Sequence, residues 1–351
     1  MRTKHHYKPM RQIKLLGCML CISILPFFQS FVANKTEQPQ LSKKIIVAYV
    51  TSWTNVIPDP TYITHLNYAF VHVNANFNGV RVDNPERLRK LTALKNANPN
   101  LKVLISIGGW GSGKFSEMAA SDTTRTKFAE DCLRIIKEFN LDGIDIDWEY
   151  PTSKAANISA SPNDTQNYTL LMTAIRSKIG NNKLLTLASC ADAKYIDFKA
   201  IEPIVNFVNI MTYDMGNPPT HHAGLYRSKY TGWISVDEAV TAHVTAGMPI
   251  KKLVLGIPFY GHGKSGIANF IDYKEVIKLS GYKNQWDTVA KVPYLENDKG
   301  EFVCTYENPE SIQIKCEYLL NRGMLGAMYW DYSGDTEDGV LRKAVYAGVN
   351  K

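Results

Sequence analysis

The sequence predicts an α/β chain folded as a (β/α)8 TIM barrel with a small insertion between strands 7 and 8. Three observations carry that expectation. Eight short apolar runs recur along the chain, amphipathic stretches separate most of them, and roughly 300 residues hold the whole series, the usual scale of such a barrel. Near-continuous Val/Ile/Leu runs are what strands buried on both faces look like, and alternation with helices implies parallel crossovers.

In chain order, the runs are Ile45 to Val50, His65 to Val73, Lys102 to Ile107, Gly143 to Trp148, Leu184 to Ser189, Phe207 to Thr212, Leu253 to Phe259 and Leu325 to Tyr329. The first follows the polar stretch Thr36 to Lys44. Of the intervening helices, Thr123 to Phe139 is the most regular. A 3.6-residue period there places Phe128, Cys132, Leu133, Ile135, Ile136 and Phe139 largely on one side. Asp122 suits its N-cap, and Asn140 its end. About 65 residues separate Phe259 from Leu325, too many for one helix, so an insertion is expected at about 263–320. Within it, Tyr282 to Tyr306 carries the turn-like Asn297-Asp298-Lys299-Gly300 and suits a short hairpin.

Of the 351 residues, 45% are hydrophobic and 21% charged, which excludes a compositionally disordered chain. Lys and Arg outnumber Asp and Glu by 40 to 33, an excess that points to an anionic partner only if it lies on the folded part. It does not. Arg2, Lys4, Lys8, Arg11 and Lys14 stand in residues 1–33 with no acid among them, so the rest carries 35 bases against 33 acids. Five bases, then the apolar run Leu15 to Phe28, then small residues around Ser30 and Ala33 make the layout of a secretory signal peptide. Extended to Ala33, the run would also serve as an uncleaved anchor. The expectation is therefore an exported protein, secreted or periplasmic or else held by that segment, with the catalytic barrel over 42–351. Nucleic-acid binding loses its basis, and no membrane contact beyond the export signal is expected.

Past that segment the cysteines are Cys132, Cys190, Cys304 and Cys316, too few for a disulfide framework. Cys132 and Cys190 read as buried thiols, while Cys304 and Cys316 are close enough in sequence to pair in an exported protein. No CxxC or Cys/His spacing suggests a structural zinc.

The most informative segment is Leu141-Asp142-Gly143-Ile144-Asp145-Ile146-Asp147-Trp148-Glu149-Tyr150. Residues two apart on a strand share a face, so Asp145, Asp147 and Glu149 point one way and Ile144, Ile146 and Trp148 the other. With the apolar set against the outer helices, the acids line the barrel interior at intervals of about 7 Å, Glu149 nearest the C-terminal rim. Like charges buried together are relieved by raising a pKa. A carboxyl that keeps its proton near neutral pH is what a general acid requires. An exposed acidic edge strand does not fit the bulky alternate residues. Asp-x-Asp pairs also bind Mg²⁺ or Mn²⁺, but no Gly-rich phosphate loop or His ligand stands nearby, so neither metal nor cofactor is expected.

Asp142, Asp145, Asp147 and Glu149 reproduce the DxxDxDxE pattern of family 18 glycoside hydrolases, and the chain resembles that chitinase family. The likeness continues through Ser106-Ile107-Gly108-Gly109-Trp110, Met211-Thr212-Tyr213-Asp214, Gly256-Ile257-Pro258-Phe259-Tyr260-Gly261 and Met328-Tyr329-Trp330, in order at the ends of successive runs. The resemblance implies hydrolysis of β-1,4-linked N-acetylglucosamine chains with retained configuration, the substrate's own 2-acetamido oxygen acting as nucleophile. It implies Glu149 as acid/base, Asp147 as partner of the acetamido N–H, and Asp145 behind it, sharing a proton and hydrogen-bonded by Tyr49 and Ser106. Asp142 reads as structural. Tyr213 would donate to the acetamido oxygen, Asp214 and Met211 would line the same subsite, and Trp330 would floor the sugar at the cleaved bond. Trp110 and Tyr260 are further candidate sugar contacts.

His262 stands where many relatives have Arg, which puts one substrate contact in question, and the insertion looks shorter than in many processive relatives. An endo-β-N-acetylglucosaminidase acting on N-glycans shares the same chemistry. A sugar-binding relative without activity typically lacks the catalytic Glu, which is present here. The expected partner is an N-acetylglucosamine-containing glycan, and the expected state a monomer.

Overall fold

All eight predicted runs are parallel strands of one closed barrel in the computed structural model, which describes residues 44–351. The strands are Ile45–Thr51, His65–Val73, Lys102–Gly108, Gly143–Asp147, Leu184–Cys190, Phe207–Met211, Leu253–Pro258 and Gly326–Trp330. Each pairs with the next, and Ile45–Thr51 also pairs with Gly326–Trp330, which closes the ring. The described residues fall in one unit spanning Lys43–Lys351. The N-terminal reading of residues 1–33, signal or anchor, lies outside the described residues. Among the described residues no helix is long and apolar enough to cross a membrane.

The helix expected over 123–139 is Asp122–Glu138, and its buried side carries Phe128, Cys132, Ile135 and Ile136. Its cap differs from the expectation. Ser121 accepts from the Thr124 amide at 3.1 Å, so Asp122 is the first helical residue. There its charge faces the positive end of the helix dipole. Asn140, with φ of 52°, ends the helix as predicted.

The inserted segment is more than a hairpin. Tyr260–Gly263, Ile271–Asp272, Lys283–Asp287, Val292–Glu296 and Phe302–Thr305 form a five-stranded antiparallel sheet, and Tyr260 follows the seventh barrel strand after one residue. The turn at Asn297 joins two of its strands, the Asn297 side chain accepting from the amides of Lys299 and Glu301. Pro309–Arg322 is the helix that leads back into the last barrel strand. The four described cysteines are free. Cys304 lies in the added sheet and Cys316 in the returning helix, both buried, so the pairing left open from sequence does not occur.

Alternation on the fourth strand falls as expected. Ile144 and Ile146 are fully buried against the outer layer, and Trp148 stacks on Phe115 at 5.2 Å with 13° between the planes. Asp142, at the strand's start, accepts from the Val103 amide and pairs with Lys95 at 3.0 Å, a tie between strands.

Candidate active site

Strand register builds the floor of the site. Asp145 stands level with Ser106 on one neighbour and Thr186 on the other, so both hydroxyls meet it. Ser106 donates to Oδ2 at 2.8 Å and Thr186 to Oδ1 at 2.5 Å. From across the barrel, the Tyr49 hydroxyl donates to Oδ2 at 2.8 Å and Asn209 Nδ2 to Oδ1 at 3.3 Å. Burial pushes the Asp145 carboxyl up, and these four donors act against that push. All four bonds run from donors to the Asp145 carboxyl, as suits a carboxylate.

One step higher, Asp147 is 4% exposed and its Oδ1 has no hydrogen-bond partner. Desolvation, with Glu149 and Asp145 nearby, raises its pKa well above the ordinary value. Gly108 makes room for this strand end. At φ of +133° its position would put a Cβ 1.9 Å from the Asp147 carbonyl oxygen, a contact that admits only glycine. The strand ends at Asp147, so Glu149 sits on the rim just beyond it. Burial raises the Glu149 pKa from 4.5 to about 7.

A cleft of about 730 Å³ opens above these carboxyls at the C-terminal ends of the strands. Nine of the sequence-predicted residues line it: Tyr49, Trp110, Asp147, Glu149, Met211, Tyr213, Asp214, Tyr260 and Trp330. Asp145 and Ser106 lie beneath. The Trp330 ring stacks on Phe70 at 5.3 Å and 22° and meets Tyr49 edge-on at 5.8 Å, giving the cleft a rigid apolar floor. Tyr213 is 8% exposed, and burial together with the surrounding carboxylates keeps its hydroxyl protonated.

Asp214 is gripped from the side of the insertion. The Tyr260 hydroxyl reaches its Oδ1 at 2.5 Å and His262 Nε2 at 2.7 Å, with His222 Nδ1 at 3.8 Å. Burial opposes its ionisation, yet His222, His262 and Tyr260 together hold its carboxyl well below the usual range. Burial lowers the His222 pKa to about 4, leaving that ring neutral. For His262 burial works downward, but Asp214 and the Asn269 carbonyl raise its pKa. His262 is therefore part of the site wall and not an incidental surface residue.

Several lining residues escaped the sequence reading. Trp53, 64% exposed, stands 6.4 Å from the Trp330 ring and lines the same cleft as Trp110, which is 65% exposed. Phe270, from the insertion, stacks on Tyr260 at 4.3 Å. Phe70 was hidden by a register shift between Ala69 and Val71, which breaks the alternation of its strand. For Trp53 there was a signal, an aromatic three residues past the end of the first apolar run. His222 sits in a loop without periodicity and had none.

Acidic side chains stacked at the rim of a closed (β/α)8 barrel, above an aromatic floor, define a class: the barrel glycoside hydrolases. The sequence model of Glycosyl hydrolases family 18 matches residues 45–335, and the chain belongs to that family. Chitinase A1 from Niallia circulans is 33% identical over 91% of this chain, which spans 60% of that relative's length. Chitinase B from Serratia marcescens is 26% identical over 85% of this chain and 80% of its own. Among solved structures, a family 18 N-acetylglucosaminidase from Paenibacillus barengoltzii is similar with a TM-score of 0.79 at 32% identity. That match covers 87% of this chain and 99% of that one.

Proposed function

We propose that this cleft hydrolyses β-1,4-linked N-acetylglucosamine chains, chitin or its oligomers, with retention of configuration and with the substrate's acetamido group as nucleophile. One arrangement carries the reading: a rim carboxyl, Glu149, whose pKa burial raises to about 7, beside a buried Asp147 whose Oδ1 has no partner. In this reading the acetamido N–H donates to Asp147 Oδ1, and the Tyr213 hydroxyl donates to the acetamido oxygen as it closes on the anomeric carbon. Glu149 gives its proton to the leaving glycosidic oxygen, then takes one from the water that opens the oxazolinium ion. Asp145, caged by four donors, holds negative charge below the developing positive centre. Trp330 and Phe70 form the apolar surface on which the C–H face of the sugar packs. The chitinases among the relatives support this substrate class. Export follows from the N-terminal layout of bases and apolar residues.

A second reading, cleavage within N-glycan cores, uses the same chemistry on the same residues. Product analysis on chitin oligomers beside an N-glycoprotein decides. Shorter N-acetylglucosamine oligomers are the expected products. Glycan release from the glycoprotein with intact chitin oligomers would overturn the first reading.

A further inference from the structure

We propose that Asp214, His222 and His262 form a binding site for one divalent transition-metal ion, with Zn²⁺ as the best chemical fit, and that its occupancy closes the cleft. One donor atom from each residue lies within 4.8 Å of the other two. Around a tetrahedral Zn²⁺ with bonds of about 2.1 Å, donor atoms stand roughly 3.4 Å apart. The present separations of 2.7 Å from Asp214 Oδ1 to His262 Nε2 and 3.8 Å to His222 Nδ1 bracket that spacing. Both separations lie within about 1 Å of it.

Two features mark these side chains as a donor set rather than an ordinary polar cluster. His222 is fully buried, yet neither ring nitrogen has a hydrogen-bond partner. A buried polar group left unpaired costs about 1–3 kcal/mol, and a cation in front of Nδ1 would relieve that cost. His262 is oriented as metal-bound histidines are: its Nδ1 lies 2.6 Å from the Asn269 carbonyl, which can only accept, so Nε2 is turned toward the other two residues. Two imidazoles and a carboxylate suit Zn²⁺, Cu²⁺ or Ni²⁺ and not Mg²⁺ or Ca²⁺, which take oxygen donors. Entry is open, because the Asp214 side chain is 57% exposed to the cleft. An ion seated there would displace the contact between Asp214 and His262 and present its remaining coordination positions to the space a sugar needs. Inhibition then follows from occupancy, and that part alone rests on the proposed glycan-cleaving function.

Calorimetric titration of chelator-washed protein with Zn²⁺ tests the binding, and inhibition of chitin-oligomer hydrolysis tests the consequence. Expected is one ion per chain, with His262→Gln and His222→Gln each weakening binding at least tenfold, and inhibition by Zn²⁺ competitive with substrate. His222 is buried, so the melting transition of its variant is checked, and His262→Gln together with Asp214→Asn carries the test should it not fold. No saturable Zn²⁺ binding overturns the site. Binding that survives both His262→Gln and Asp214→Asn, as it would if the sequence neighbours His5 and His6 held the ion, overturns it equally. Because the heat of binding needs no substrate, a wrong substrate assignment leaves this result readable.

Discussion

The Tyr49 hydroxyl donates to Asp145 Oδ2 at 2.8 Å, joining the first and fourth barrel strands beneath the cleft. Tyr49 also accepts from Asn209 Nδ2 at 3.2 Å. A chain of polar contacts thus crosses the barrel interior, where bulky branched apolar side chains usually dominate. Within it Asn209 Oδ1 is buried without a partner, so the network is not fully satisfied. In the proposed reaction it would hold one negative charge in place under the sugar.

Tyr49→Phe removes one of the two donors to Oδ2 and leaves Ser106 alone on that oxygen. A hydrogen bond to a charged group is worth about 1.5–3 kcal/mol, so kcat on chitin oligomers is expected to fall by roughly tenfold or more. Because Tyr49 acts through Asp145, KM should change far less than kcat. A fall confined to KM would show that Tyr49 only lines the cleft.

Glu149→Gln keeps the shape of the rim and removes the proton donor. A loss of about 10²-fold or more in kcat is the scale for an acid/base, with oligomer binding retained. Steady-state hydrolysis and a binding titration on the same variant check both halves. Wild-type turnover in Glu149→Gln would refute the assignment.

The pH profile follows from the same residue. Burial raises the Glu149 pKa from 4.5 to about 7, so the folded protein holds this proton more tightly than the unfolded chain. Below about pH 7 the acid form is populated, and activity should decline as pH rises through 7. Stability moves the same way. Between pH 4.5 and 7 the folded state binds more protons at this site, so its contribution to stability falls as pH rises. Glu149→Gln abolishes that penalty, and the variant's melting temperature should gain on the wild type between pH 5 and pH 8. An advantage that stays constant with pH would contradict the shift.

Much of this was legible in the sequence because periodicity reports burial. The apolar runs gave all eight barrel strands, and the alternation of Ile144, Ile146 and Trp148 with acids fixed which side of the fourth strand faces inward. The rest depends on contacts between distant segments. Asn209 and Thr186 reach Asp145 from the sixth and fifth strands, a relation set by barrel register and invisible in either strand alone. The Ser121 cap was missed because Ser and Asp both suit that position and stand side by side. The five-stranded insertion was read as a hairpin because its first strand, Tyr260–Gly263, is short and glycine-rich and carries no alternation.

A final prediction concerns the loop that carries His222. Lys315 is fully buried on the helix Pro309–Arg322, where its ammonium meets the Glu307 carboxylate and donates to the Ala223 carbonyl at 2.5 Å. Ser311 donates to the other Glu307 oxygen at 2.6 Å. The pair therefore pins the loop next to His222 onto the barrel wall. Lys315→Met removes the positive partner and leaves Glu307 buried, which should cost about 3–5 kcal/mol. Adding Glu307→Gln removes the stranded charge and should restore much of the loss, because a paired charge and its uncharged substitutes differ far less than a pair and a half-pair. Urea unfolding of the wild type, both single variants and the double variant measures the coupling. Additive losses in the double variant would mean that the two charges do not interact across this contact.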